Sequence, residues 1–320
     1  QLTRGRPAHF RSAADWLRAG IGRQGLAASV ALVAAWSGLW GLLIIATVFL
    51  AGAALISFVA WLVAGGLGGL AGLLAGLGIS VGTILGFIGA LFLSGPGVLI
   101  SVAAGAVISV LFFGVMVAAE PLTLRLRGYR RASRREYERV VPLLVEAGRR
   151  LQLTNLPPLL ITDDGSRNAY AAVRHVVISR TLLDELADEP LAGVLAHELS
   201  HWARADTVGL RFVFAAALPL ALLYNLAVLL LRFRGIVALI ALVLLWPAWV
   251  LTRLVIEPLV AERSRDYEYG ADQDARRAGY GEALREALAH LREFEGGRSG
   301  WEQVLAATHP PIELRLEALE

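Results

Sequence analysis

The stretch DEPLAGVLAHELSHWARAD, residues 188–206, decides how this chain is read. Asp188-Glu189-Pro190 offers an N-cap candidate and an early proline, the marks of a helix start. The helix-patterned residues that follow carry it through His197-Glu198-Leu199-Ser200-His201 to about Asp206. Side chains four apart on a helix share a face, so the two imidazoles stand one turn apart on the same side. Each can present a ring nitrogen to one Zn²⁺, and Glu198 then lies where it can take a proton from water beside the metal. Zinc lowers the pKa of such water to about 7, so a neighbouring carboxylate suffices as general base.

Two histidines leave a metal site short of a ligand, and a second polar cluster can supply it. Ser264-Arg265-Asp266-Tyr267-Glu268-Tyr269-Gly270-Ala271-Asp272 emerges directly after a long apolar stretch. Glu268 would complete the protein ligands with His197 and His201 and leave one coordination position open. Asp272, one turn later on the same face, is placed to accept the remaining ring N–H of a ligand histidine and so fix its tautomer. Without the histidine motif, the same two acids would read as an exposed i, i+4 pair on a charged helix.

Outward from these motifs, the composition points to a membrane. From Gln24 to Ala119 there is no Asp, Glu, Lys, Arg or His. Soluble domains need helices with a polar face, so an uncharged run of this length implies transmembrane helices. At about 20 residues per crossing it holds about four, near 26–48, 50–75, 77–93 and 97–119, with breaks at Gly76-Leu77-Gly78 and Gly95-Pro96-Gly97. Arg4, Arg6, Arg11, Arg18 and Arg23 precede the run, and Arg125, Arg127, Arg130, Arg131, Arg134, Arg135 and Arg139 follow it. The positive-inside rule therefore puts both flanks in the cytoplasm and makes the number of crossings even. The apolar region is too long for a signal peptide and lacks a convincing cleavage site. Gly68, Gly72 and Gly76, then Gly78, Gly82 and Gly86, lay small residues along helix faces, which favours close packing within the block and is compatible with a homo-oligomer.

Beyond Glu120 the chain becomes polar. Pro121 is expected to end the last span, and Arg125 to Arg150 reads as a charged amphipathic helix interrupted near Pro142, better suited to a solvated or lipid-facing stalk than to a core. Leu159 to Thr162 reads as a strand, and Ala169 to Val173 with Val176 to Ser179 as a β-hairpin with Arg174-His175 at its tip. A helix starts near Thr181, ahead of the one that begins around Asp188. Leu210 to Leu231 and Ile236 to Ile256 are apolar apart from Arg211 and Arg253, which reads as a helical hairpin through the membrane. Arg232 and Arg234 at its tip run against the positive-inside rule, and a shallow re-entrant hairpin is the alternative. Tyr280 to Glu320 reads as two soluble helices around Gly296-Gly297.

Cysteine and lysine are absent, so all thirty basic side chains are arginines. Disulfides, thiolate zinc ligands and a cysteine nucleophile are thereby excluded. The basic balance belongs to juxtamembrane arginines that face anionic lipid. No aromatic-interleaved basic motif or phosphate loop points to nucleic acid.

Together these residues resemble the HtpX-type and CAAX prenyl endopeptidase family of membrane zinc metallopeptidases. The likeness rests on His197-Glu198-x-x-His201 with Asp206 five positions on, the Ser264-Arg265-x-x-Glu268-x-x-Ala271-Asp272 block, Asn168-Ala169-Tyr170, and His309-Pro310-Pro311 with Arg315. It covers roughly Leu143 to Glu320. It implies a gluzincin-like fold, with active-site and C-terminal helices enclosing a zinc cleft, and hydrolysis of peptide bonds in membrane or misfolded proteins. It further implies that Asn168 lies on a strand edge binding substrate backbone by β-addition, that His309 faces the cleft and stabilises the oxyanion, and that Arg315 supports that region electrostatically. Asp206 joins Asp272 as a partner of the ligand histidines. Val173 stands where the family often has glycine, and the N-terminal apolar block exceeds its usual two spans.

The expectation is thus a mainly α membrane protein. A cytoplasmic segment (1–24) and a transmembrane block (25–119) precede an α+β zincin-like catalytic domain (120–208 and 257–320), which a membrane hairpin (209–256) splits. One zinc per chain, a protein or peptide substrate, surrounding lipid, the cytoplasmic membrane with the catalytic part inside, and no nucleic acid complete the reading. Two alternatives stand beside it: processing of lipid-modified, CAAX-like C-termini, and a non-catalytic membrane scaffold.

Overall fold

The computed structural model describes residues 95–232, 257–292 and 310–320, with scattered positions elsewhere. The expected spans 26–48, 50–75 and 77–93, the two glycine faces, nearly all of the second arm of the 209–256 hairpin, Gly296-Gly297 and His309 lie outside the described residues. The chain divides into two compact units: residues 1–27, 112–213 and 257–320 form one, and residues 28–111 and 214–256 form the other.

Helix α1 runs from Gly95 to Leu126 and, unlike the sequence expectation, passes through Pro121. A proline inside a helix forfeits one backbone hydrogen bond but need not end it when the flanking turns are strong helix formers. The stop comes at Gly128, whose φ of +86° is a left-handed conformation that suits glycine. Gly128 N–H donates to the Arg125 carbonyl and Tyr129 N–H to the Leu124 carbonyl, both at 3.0 Å, closing a Schellman motif. Among the described residues one helix, Ala103–Leu126, is long and apolar enough to cross a membrane, with a hydropathy of 2.0.

A mixed four-stranded sheet follows, with β1 (Arg130–Arg131), β2 (Leu159–Thr162), β3 (Ala169–Ala171) and β4 (Val176–Ser179) in the order β1-β2-β4-β3. β2 and β4 are parallel, whereas β1 on β2 and β3 on β4 are antiparallel. Central β4 is buried along its whole length, as expected for a strand covered on both faces. β3 is an edge.

Helix α2 (Arg134–Arg150) is not a stalk. Ser133 and Glu136 form a capping box, and Val140, Leu144, Ala147 and Gly148 form a buried stripe at helical spacing against α4. The stripe is narrow among many charges, which is why composition alone favoured a solvated helix. Arg139, expected only as flanking charge, donates to the Leu183 and Leu186 carbonyls and pairs with Asp188 at 2.7 Å. It thereby caps α3 (Arg180–Glu185) at its C-terminal end.

Helix α4 (Asp188–Arg204) is the centre of this unit, buried almost continuously from Pro190 to Ser200. It ends two residues before the expected Asp206, because Ala205 adopts a left-handed φ of 60°. That conformation costs a non-glycine residue about 1–2 kcal/mol, and it re-aims the chain into α5 (Asp206–Leu230). Helix α6 (Glu257–Ala275) leads through a π-helical turn at Arg276–Tyr280, kinked at Gly279, into α7 (Gly281–Arg292). Helix α8 (Ile312–Leu319) buries Ile312, Arg315 and Leu319.

The α4–α7 crossing is close because Gly193 has no side chain. A Cβ there would fall 2.5 Å from the Leu284 backbone nitrogen and 2.7 Å from the Ala283 carbonyl carbon. We expect Gly193→Ala to destabilise the protein by about 1–2 kcal/mol, since overpacking costs about 1–3 kcal/mol and the gain in helix propensity returns at most about 1. A thermal melt that leaves Tm unchanged or raised would contradict this close approach.

Candidate active site

The left-handed break at Ala205 has a direct consequence for the histidine face of α4. It turns Asp206, the first residue of α5, back so that its Oδ2 lies 3.0 Å from His201 Nδ1. On the other ring, His197 Nδ1 lies 2.8 Å from Asp272 Oδ1. Each imidazole therefore donates its Nδ1–H to a buried carboxylate and turns the Nε2 lone pair inward, the tautomer following from the partners. The two Nε2 atoms are 3.1 Å apart. Glu268, brought over by α6, sets carboxylate oxygens 3.4 Å from His197 Nε2 and 3.5 Å from His201 Nε2.

Two lone pairs and a carboxylate converging on one point repel each other unless positive charge sits among them. Part of it comes from Arg315 on α8, whose guanidinium is 3.1 Å from Glu268 and holds Asp272 in a two-pronged pair at 2.9 and 2.6 Å. Burial opposes charge on both rings, and Arg315 opposes it at His197. Asp272 and Glu268 nevertheless hold His197 above its ordinary pKa, and Asp206 and Glu268 hold His201 well above its own. The pocket is thus built to favour a cation. His197, His201 and Glu268 form the described group able to hold a metal ion, with donor atoms within 4.8 Å of one another. Two imidazole nitrogens and one carboxylate are a donor set that suits zinc.

Glu198 is buried beside this group but contributes no donor to it. Burial raises its carboxyl above the usual value, and the Ala171 backbone N–H donates to it. Burial also pushes Asp272 upward, yet His197 and Arg315 hold it below the usual carboxylate value. A cleft of about 440 Å³ opens onto Glu198, with Asn168 and Ala169 on one side and Val194, Leu284 and Leu288 on another.

The structure therefore brings together His197, Glu198, His201, Asp206, Glu268, Asp272 and Arg315, with Asn168 on the same cleft. His309 lies outside the described residues. Arg315 is spent on Asp272 and Glu268, a closer association with the metal group than its expected place near an oxyanion. Two contributors had no mark in the sequence. The backbone of Ala171 reaches Glu198, and Thr207 Oγ1 donates to the Ala171 carbonyl at 2.8 Å.

Residues 131–320, more than half of the chain, match peptidase family M48. The chain belongs to this family. The peptidases of family M48 use zinc, and the His197, His201 and Glu268 group is one that could hold such an ion. Over 142 residues it is 38% identical to a protease HtpX homolog of Halobacterium salinarum, covering 43% of this chain and 48% of that protein. Over 231 residues it is 29% identical to the HtpX homolog of Salinibacter ruber, covering 62% of this chain and 79% of the relative. The chain thus spans about half the length of the first relative and more of the second. Its fold resembles the crystal structure of S. mikatae Ste24p, with a TM-score of 0.52 at 20% identity over 77% of this chain and 64% of that one.

Proposed function

We propose that this chain is a zinc endopeptidase of the cytoplasmic membrane that cleaves membrane or misfolded proteins on the cytoplasmic side. The observation that carries the reading is the convergence of His197, His201 and Glu268 beside a buried Glu198 at the floor of a cleft bordered by an edge strand. His197, His201 and Glu268 would hold the zinc, while Asp272 and Asp206 orient the rings. When bound, zinc supplies Lewis acidity toward water and the scissile carbonyl. Glu198 takes the proton of the attacking water and returns it to the departing amide nitrogen, without an acyl-enzyme. A carboxyl raised by burial is better matched to proton transfer near neutral pH than an exposed one.

The strand register says how a substrate would lie. Ser179 N–H donates to the Asn168 carbonyl, and Ala172 N–H to the His175 carbonyl, so the hydrogen-bonded pairs of this hairpin are 168 with 179, 170 with 177 and 172 with 175. Ala169 and Ala171 consequently turn their backbone groups outward. Those of Ala171 are taken by Glu198 and Thr207. Ala169 is left to pair with an extended peptide, by β-addition. Asn168 would then act through its side chain, because Ser179 occupies its backbone on both sides.

The membrane part of the proposal rests on the charge-free run before Glu120, its arginine flanks and the apolar α1. We assign 120–208 and 257–320 to the catalytic domain and 209–256 to a membrane hairpin, in keeping with the grouping of 112–213 with 257–320 in one unit. His309 is proposed to stabilise the oxyanion, and the glycine faces to pack the membrane block, within one chain or between two. In detergent, we expect about one zinc per purified chain and casein cleavage that a chelator abolishes and added zinc restores. Metal-free protein, or cleavage indifferent to the chelator, would overturn the proposal.

A further inference from the structure

The charge-free run ends at Glu120, and this first acid is not at the surface. Glu120 sits in the last turns of α1 and is only 2% exposed. A carboxylate so buried must find hydrogen-bond donors to remain. All of those found lie in one place, the turn between β3 and β4. Glu120 Oε2 accepts the Val173 N–H at 2.9 Å, and Oε1 accepts the Arg174 N–H at 2.8 Å. His175 Nδ1 lies 3.1 Å from the same Oε1. The turn is closed by the Ala172 N–H donating to the His175 carbonyl at 2.8 Å, so its two central amides point together at one anion.

We propose that Glu120 is a positioning residue for substrate binding, holding the β3–β4 hairpin on the end of the apolar helix so that the β3 edge keeps its register over the cleft. The proposal rests on the peptidase reading above. Glu120 touches neither the metal group nor Glu198. It acts through the hairpin: the turn it clamps begins one residue after Ala171, whose N–H reaches Glu198 and whose carbonyl receives Thr207. Ala169, the outward pair left for an extended peptide, lies two residues further back on the same three-residue strand. A strand this short has few ladder bonds of its own to fix its tilt, so its turn has to be held from outside.

A mere fold tether would give a different signature from a positioning residue, and the variants separate them. Glu120→Gln keeps the shape, but its amide offers one acceptor and one donor to two N–H groups, so one bond is lost. Glu120→Asp keeps both acceptors on a shorter arm. For the full-length protein in detergent we expect Glu120→Gln to lower kcat/KM for labelled casein about tenfold to a hundredfold, mainly through KM, as a small displacement of a binding edge does. Glu120→Asp should recover part of that loss, and zinc content should be unchanged in both. Hydrogen exchange in Glu120→Gln should speed up at residues 169–176 and not in α4. Unchanged KM with unchanged exchange would overturn the proposal, as would loss of zinc with faster exchange throughout the unit, which is what a fold tether gives. If wild-type protein cleaves nothing, the peptidase reading and the kinetic half of the proposal fall together. The exchange measurement then still decides whether Glu120 holds the hairpin.

Discussion

Glu198→Gln is expected to leave zinc in place and remove turnover. The three converging donors come from His197, His201 and Glu268, and the Glu198 carboxylate is not among them. Glutamine has the same shape, and its carbonyl oxygen can still accept the Ala171 N–H, so the helix and the cleft floor should not move. Stability should hold or rise, because the substitution removes a carboxyl that burial already disfavours as an anion. Proton transfer is what disappears. An amide side chain cannot accept the proton of the attacking water at neutral pH, and general-base catalysis is worth about 10²–10⁴-fold. Metal analysis and casein cleavage on the same preparation check this. Activity within a few-fold of wild type would remove Glu198 from the proposed mechanism, whereas loss of zinc would make it part of the metal group.

The parts of this site that the sequence made legible are those that local geometry governs. A spacing of four on a helix puts His197 above His201 and Glu268 above Asp272 whatever the rest of the chain does. Strand β2 and the hairpin could be read because β-branched residues and turn residues alternate there at short range. What could not be read depends on contacts distant in sequence. Helix α2 looked solvated because eight of its residues are arginine or glutamate in plain view, while the buried stripe of Val140, Leu144 and Ala147 needs α4 to give it meaning. The end of α4 was misplaced because alanine carries no sign of a left-handed conformation; the reward for it, the Asp206 contact with His201, appears only in three dimensions. Glu120 was seen in the sequence as the end of an apolar run. Its partners lie more than fifty residues away, so its burial left no local trace.

The second large effect separates residues that hold the metal from residues that hold the holders. His197→Ala, His201→Ala and Glu268→Ala each remove one of three protein donors, and we expect each to lose zinc and activity together. Asp206→Asn should behave differently. Its side chain can still offer an oxygen to the His201 Nδ1–H, but without the charge that supports the ring, and such a partner is typically worth about 10–100-fold in metal affinity. That variant should bind zinc more weakly and regain activity as zinc is added. Titrating each apo-protein with zinc, with cleavage followed in parallel, distinguishes the two classes. Stoichiometric, tightly held zinc in all three alanine variants would sink the ligand assignment. Asp272→Asn is the harder case and the more informative one, because Asp272 is shared between His197 and Arg315. Neutralising it weakens the support of the ring and also releases a buried guanidinium 3.1 Å from Glu268, free to compete with zinc for that carboxylate. Its affinity loss should therefore exceed that of Asp206→Asn, and removing the competitor in the double variant Asp272→Asn, Arg315→Met should recover part of it.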